Sequence, residues 1–322
     1  DDAARVYEQY TVMYPTGERI ESAYLNVVDA LREAGRYDEA NKWVDKARQN
    51  FPRTVTEVNA LHARLRMEIF RGHWAEAVAA ADALLLLPRL SGSMTSGDEV
   101  RFLKAFALDK SGHATEARAI YASISDTGTS YFGALAADRS NPNGVAVRRT
   151  ALVSSRAAEF PTAFRSDVLK YSKVNGLDPR FVLAIMKQES TFNPGAKSPS
   201  AARGLLQLTI DAANKYARQA GFGQVRADDL YDPRTNVAIG CQYMGELKRQ
   251  FGGLYEGIAA SYNGGEDNAA RWLARSKPKE PAIFVSEVGF AETKAYVLKV
   301  MNYYRTYRSL YDENLARRPV AN

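Results

Sequence analysis

Apolar positions three and four residues apart run through both halves of this chain, and the second half carries almost no strand signal. In the first half three apolar helical patterns stand out: Tyr24 to Leu31, Leu61 to Phe70 and Val100 to Leu108. Each is followed by a glycine turn with the same spacing, GRYDEA from Gly35, GHWAEA from Gly72 and GHATEA from Gly112, and then by a second helical pattern. The second helices hold Trp43 and Ala47, Ala80 and Leu84, and Ile120. Helix, glycine turn, helix at intervals of 37 and 40 residues predicts an α-solenoid of tetratricopeptide-like helix pairs over residues 1–150. The register extends backwards, because Ala3, Val6, Tyr10 and Pro15 fall 37 residues before Ala40, Trp43, Ala47 and Pro52. The first residues therefore read as the second helix of an incomplete repeat, with a natural start expected upstream of residue 1.

The stretch Ser140 to Arg148 has the Pro, Gly and Asn content of a connection, and residues 151–322 read as a second, separate domain. Helices are expected there over Ser166–Val174, Pro179–Ser190, Leu208–Ala220, Asp232–Phe251, Leu254–Tyr262, Asp267–Ala274 and Ala291–Tyr311. The fold class expected for the whole is all-α.

Composition changes this picture little. The chain is 46% hydrophobic and 25% charged, ordinary for a globular protein, and no 18-residue apolar span suggests a transmembrane segment. Charge is more informative: residues 1–150 sum to −1 and 151–322 to +7, together the formal +6. The second domain thus favours an anionic partner, and scattered Lys and Arg without a long basic run argue against nucleic acid. The single cysteine, Cys241, cannot form an internal disulfide and reads as a small core residue. His62, His73 and His113 all fall among the repeats, where they read as turn or helix-surface residues, and no metal or cofactor site is expected.

The candidate chemistry centres on Glu189. Asp178 is a suitable N-cap and Pro179 a suitable first residue for a helix whose apolar face repeats through Phe181, Val182, Ile185 and Met186. Glu189 follows Ile185 by four and Met186 by three, so its carboxyl group emerges from that apolar face at the electronegative end of the helix. Both features disfavour ionisation, as a general acid for a glycosidic oxygen requires. A solvated glutamate, or one paired with the nearby Lys187, is the plainer reading of this residue taken alone. No Asp or Glu occurs from Ser190 through Ile210.

Three blocks in order, ESTFNPGAKSPSAARGLLQL (189–208), SYNGG (261–265) and FVSEVGFAETKAYV (284–297), resemble the soluble lytic transglycosylases. These are glycoside hydrolases with a goose-type-lysozyme-like catalytic domain preceded by a helical superhelix. The resemblance covers roughly residues 160 to 311 and implies that Glu189 is the single catalytic glutamate. It further implies that Ser198, Gln207, Tyr262, Asn263, Glu292 and Tyr296 contact or frame the saccharide. Gln207 offers donor and acceptor to an acetamido group, and Tyr262 offers a ring for sugar packing with a hydroxyl able to hold Glu189. Capping or core packing is the plainer role for each of these.

Where the family has GLMQLMPxTA this chain has GLLQLTIDAA, SxxGAxG appears as SPSAARG, AYNAG as SYNGG, and IPF before ET as VGF. These departures bear on cleft shape and helix onset and remove no proposed catalytic group. With no second carboxylate in the window after Glu189, the expected reaction cleaves peptidoglycan between N-acetylmuramic acid and N-acetylglucosamine and leaves a 1,6-anhydro end. The alternatives are a goose-type-lysozyme-like hydrolase, with water held by Glu292 or Asp211, and a non-catalytic peptidoglycan-binding scaffold. The resemblance places the protein in the bacterial periplasm, with glycan strands as substrate and an envelope protein as partner of the solenoid.

Overall fold

A computed structural model describes residues 2–141 and 157–319 of the chain. Its regular structure is helical throughout, with three isolated β-bridges and no strand among the described residues. Two compact units are present. One comprises Asp1–Ser125, Leu135–Ser140 and Ala274–Glu287, and the other Asp126–Ala134, Asn141–Leu273 and Val288–Asn322. Both are discontinuous in sequence. The connection expected between Ser140 and Arg148, and the boundary expected at 150, fall largely outside the described residues.

The first unit contains α1 (Asp2–Met13), α2 (Ile20–Glu33), α3 (Tyr37–Asn50), α4 (Val55–Arg71), α5 (Trp74–Leu85), α6 (Gly97–Lys110) and α7 (Ala114–Ser123). Each helix packs on the next, and the three glycine turns join α2 to α3, α4 to α5 and α6 to α7. At Gly72 the reason for glycine is local: the residue ends α4 at φ 77°, and the His73 amide then reaches the Glu68 carbonyl at 2.9 Å. A side chain in that left-handed conformation would be strained. Successive helices bury Val27, Leu31, Val44 and Ala47, then Leu61, Leu65, Leu84, Leu103 and Phe106. Each large apolar side chain so buried contributes about 1.5–3 kcal/mol.

His62 departs from its expected surface position. It is buried, with Nε2 3.1 Å from a buried Glu99 Oε1. A short helix not foreseen from the sequence, α15 (Pro281–Glu287), also belongs to this unit and places Ile283 in its core. Glu287 at its end is fully buried between the guanidinium groups of Arg32, at 2.5 and 2.8 Å, and Arg66, at 3.1 Å. A second unforeseen helix, α8 (Tyr131–Ser140), has residues in both units.

The second unit holds α9 (Arg165–Val174), α10 (Pro179–Ser190), α11 (Ile210–Ala217), α12 (Pro233–Gln250), α13 (Tyr255–Gly264), α14 (Glu266–Ala274) and α16 (Ala291–Leu310). All seven expected helices are present, with ends shifted by at most three residues. The central element is α10, whose residues Phe181 through Met186 are completely shielded from solvent. It packs along α16, and α13 packs on α16 beside it. The Phe181 ring lies 4.6 Å from that of Tyr255 and 5.5 Å from that of Tyr304. Cys241 on α12 is a free, fully buried thiol whose ionisation burial suppresses.

Candidate active site

The sequence of α10 sets both of its ends. Asp178 accepts the Arg180 amide at 2.9 Å as the N-cap, Pro179 occupies the first turn, and Thr191 closes the helix in the left-handed region at φ 50°. Phe192 continues in that region at φ 65°, so the chain turns sharply away directly after Glu189 and Ser190. Glu189 is thereby left at the helix end as a half-buried carboxyl group.

Glu189 makes no ion pair among the described residues. Lys187 instead donates to the Glu159 carbonyl at 2.6 Å and lies over the ring of Phe160. Among the described residues the side chain that hydrogen-bonds Glu189 is Tyr296, whose hydroxyl donates to Oε1 at 2.5 Å. Burial raises the Glu189 pKa above the usual carboxylate value, and the Tyr296 hydrogen bond offsets this only in part. Tyr296 stands on the buried side of α16, and its own ionisation is strongly suppressed, chiefly by burial and then by the adjacent Glu189.

Tyr262 does not hold Glu189, as its hydroxyl was expected to be able to do. It donates to the Leu206 carbonyl at 2.6 Å, which ties α13 to the segment following α10. Its ring lies 5.3 Å from Tyr243 on α12, which stacks at 4.9 Å on Tyr216 of α11. Tyr243 was not singled out in the sequence, because no local motif marks it and its place beside Tyr262 depends on the crossing of two helices. Of the tyrosines on α16 (Tyr296, Tyr303, Tyr304 and Tyr307), Tyr296 is the one that hydrogen-bonds Glu189. Tyr304 donates to Asp178 Oδ2 at 2.8 Å and Tyr307 to the Pro161 carbonyl at 3.0 Å.

The segment from Ala196 to Leu208 carries Ser198 and Gln207. Ser198 Oγ accepts the Ala202 amide at 3.1 Å, a turn-closing role. Gln207, at φ 47°, commits its amide nitrogen to the carbonyls of Ala196 and Gly204 at 3.1 and 2.9 Å, so both of its N–H donors serve the loop. The segment is fixed from three sides. Ser190 Oγ donates to the Leu205 carbonyl at 2.8 Å, Tyr262 holds Leu206, and the buried Asn236 side chain satisfies Leu206 N, Arg203 O and Leu230 O at 2.8–2.9 Å. Gly204 is obligatory here, since a Cβ would lie 2.1 Å from the Leu230 carbonyl oxygen. Asn236 also went unnoticed in the sequence, where it is one polar residue in the first turns of α12.

The departures from the family pattern acquire local reasons. Thr209 caps α11 by accepting the Ala212 amide at 3.3 Å, so the helix starts without a proline. Gly264 stands where a Cβ would meet Thr293 Oγ1 at 2.9 Å and the Trp272 ring at 3.1 Å. Nothing in the structure explains Ser261, whose buried hydroxyl has no hydrogen-bond partner among the described residues. Asn263 and Glu292 are both exposed, Glu292 in the first turn of α16 and one turn before Tyr296. A cavity of about 390 Å³ on the second unit is lined by Phe160, Leu298, Lys299 and Tyr303 among others and does not include Glu189.

Among the described residues no group of His, Cys, Asp and Glu is placed to hold a metal, and no helix is long and apolar enough to cross a membrane. The arrangement offers proton transfer: one carboxyl group held toward its neutral form, one tyrosine hydroxyl to support the anion when it forms, and a loop welded beside them.

Comparison with known proteins falls on the same elements. Residues 167–285 match the transglycosylase SLT domain model. Soluble lytic murein transglycosylase from Salmonella typhimurium is 32% identical over 151 residues, which are 46% of this chain and 23% of that protein. The solved 70 kDa soluble lytic transglycosylase from Escherichia coli superposes with a TM-score of 0.70 at 23% identity, covering 95% of this chain and 61% of that one. An inactive variant of lytic transglycosylase Slt from Pseudomonas aeruginosa gives a TM-score of 0.69 at 21% identity over 94% of this chain and 60% of that one. At those identities the structural likeness bears on fold, and the chain spans only part of each of these proteins. The sequence match to the transglycosylase SLT domain model thus lies on the helices and loop that carry Glu189, Gln207 and Tyr262.

Proposed function

We propose that the protein cleaves the β-1,4 bond between N-acetylmuramic acid and N-acetylglucosamine in peptidoglycan as a lytic transglycosylase, with Glu189 as both acid and base. The observation that carries this reading is the isolation of Glu189: among the described residues it forms no ion pair, and the side chain that hydrogen-bonds it is Tyr296, not a second carboxyl group. Glycosidases that use two carboxylates set the second as nucleophile or base. Here that role passes to the substrate.

Protonated Glu189 donates to the glycosidic oxygen as the C1–O4 bond breaks, and the acetamido oxygen of the muramoyl unit shields the cationic C1. Glu189, now a carboxylate supported by the Tyr296 hydroxyl, takes the proton of the C6 hydroxyl while O6 attacks C1. The product carries a 1,6-anhydro ring, Glu189 returns to its protonated form, and no water is consumed. Ser198, Gln207, Tyr262, Asn263 and Glu292 are proposed to frame the saccharide, with the Gln207 carbonyl oxygen rather than its amide nitrogen turned to substrate. A glycan substrate of this kind implies a periplasmic setting, and the helix repeats of the first unit are proposed to engage an envelope protein.

Mass analysis of muropeptides released from sacculi tests the proposal. Products lighter by one water than hydrolytic ones are expected from the wild type, and Glu189→Gln is expected to lower release by about 10²–10⁴-fold. Products of ordinary hydrolytic mass would replace this scheme with a water-using one, and retained activity in the variant would remove Glu189 from the chemistry.

A further inference from the structure

The cavity of about 390 Å³ that excludes Glu189 lies wholly within the second unit, where α16 supplies Leu298, Lys299 and Tyr303 to its wall and Phe160 adds a second ring. Its volume falls at the small end of the range that small-molecule sites occupy, about 300–1,000 Å³. The polar side chains of the wall are engaged with one another. Asn302 donates through its amide nitrogen to the Thr129 carbonyl, the Thr306 hydroxyl donates to the Asn302 carbonyl at 2.9 Å, and the Thr129 hydroxyl pairs with that of Thr127 at 3.2 Å. What remains toward the space is apolar and aromatic, with charge at the rim. A sugar, which needs a partner for each hydroxyl it desolvates, is a poor match for such a wall.

The charge is positive. The Phe160 and Tyr303 rings meet edge to face, with centroids 5.8 Å apart at 73°. Lys187 Nζ stands 4.7 Å from the centre of the first ring and 5.2 Å from that of the second, and Lys299 Nζ stands 5.9 Å from the second. Ammonium groups are drawn to ring faces, and here two of them share Tyr303. Lys187 also donates to the Glu159 carbonyl and so belongs to the wall. Lys299 is exposed and forms no ion pair among the described residues. No acidic residue lines the cavity, and the one carboxylate on α16, Glu292, lies two turns before Lys299.

An apolar, ring-walled cavity with an ammonium group at its rim suits a ligand that joins a flat apolar body to an anion. A ring placed there adds a third member to the Phe160–Tyr303 pair, in the edge-on or offset arrangements that aromatic groups favour. A single anionic group matches the ammonium of Lys299, whereas a second would be taken from water with no cation of its own. We propose that this cavity binds a small aromatic carboxylate, held through its ring by Tyr303 and Phe160 and through its charge by Lys299. The inference is independent of the function proposed above, because neither Glu189 nor any residue proposed to frame the saccharide lines the cavity.

Isothermal titration of the full chain with 2-naphthoate tests this, with naphthalene-2-methanol as the uncharged ring and octanoate as the ringless acid. Saturable binding of one 2-naphthoate per chain is expected, and each comparison compound should bind about tenfold more weakly. Lys299→Gln, a change at an exposed position, should lower 2-naphthoate affinity about tenfold while muropeptide release from sacculi stays at the wild-type rate. Leu298→Trp, which fills the cavity, should abolish binding. Absence of saturable binding, equal affinity for acid and alcohol, or affinity unchanged in Lys299→Gln would overturn the proposal. Octanoate binding as tightly as 2-naphthoate would remove the aromatic requirement and overturn it as well. Loss of muropeptide release in step with loss of binding would place the ligand in the saccharide cleft and sink the idea of a separate site.

Discussion

Glu189 is subject to two opposed influences, and their balance sets a trade between stability and activity. Desolvation raises its pKa and the Tyr296 hydroxyl lowers it, with the net shift upward. A carboxyl group raised in the folded state favours folding while it stays protonated, below its unfolded pKa, and loses that contribution as pH climbs through the folded value. Glu189→Gln keeps the neutral form at every pH, so it should melt higher than the wild type at neutral pH, with the gain vanishing in acid. Paired thermal melts at pH 4 and pH 7.5 check this, and a variant that melted lower at pH 7.5 would contradict a disfavoured carboxylate. Tyr296→Phe removes the hydrogen bond that lowers the Glu189 pKa. Its kcat should fall by about tenfold and the alkaline limb of its pH–rate profile should move upward, whereas a purely structural tyrosine would leave that limb in place.

At the scale of single elements, the hairpin after α10 shows why backbone conformation constrains residues that never touch substrate. Gly204 sits at φ 78° with the Leu230 carbonyl and the Asn236 amide both closer than any Cβ tolerates. Gly204→Ala should therefore cost about 3 kcal/mol or more in a denaturant melt, through displacement of α12 from the loop. Ala201 is the reverse case. It occupies the left-handed region with a Cβ where the family pattern carries glycine, and Ala201→Gly should stabilise the fold by about 1 kcal/mol. Helix positions were legible from the sequence because caps and apolar periodicity act within a few residues: Asp178, Asp232 and Pro179 mark the ends that the structure has. Helices α8 and α15 were not foreseen in the sequence.

Across the whole molecule the buried charges respond to pH in opposite senses. Burial alone would raise Glu287, yet Arg32 and Arg66 outweigh it and hold the group below its usual range. Its contribution is therefore present above the ordinary carboxylate value and is lost as pH falls through the depressed one, the reverse of Glu189. Glu287→Gln strands two guanidinium groups and should cost about 3–5 kcal/mol in urea unfolding at neutral pH, with a smaller penalty in acid. Arg275 adds a more exposed set of contacts to Asp29 and Glu33 within the same unit. The segment Ala274–Glu287 thus belongs by its ion pairs and its core residue Ile283 to the first unit, although the residues on either side of it belong to the second.

The sequence by itself determined the helical class, the glycine-turned helix pairs, the termini of α10 and the candidacy of Glu189. The first three follow from periodicity, capping and composition, which are short-range in the chain, and Glu189 stood out through the family resemblance of the blocks around it. Tertiary structure alone decided which tyrosine holds Glu189. The sequence offered Tyr262 for that role, but the helix crossings send its hydroxyl to Leu206 and bring that of Tyr296 to the carboxyl group 107 residues away. It also decided that Asn236 clamps the loop, that Lys197 and Arg203 oppose one another, and that Ala274–Glu287 packs with the repeats. Hydrogen bonds and ion pairs between residues distant in sequence form only once the backbone has brought them within about 3 Å, and no local pattern encodes that meeting.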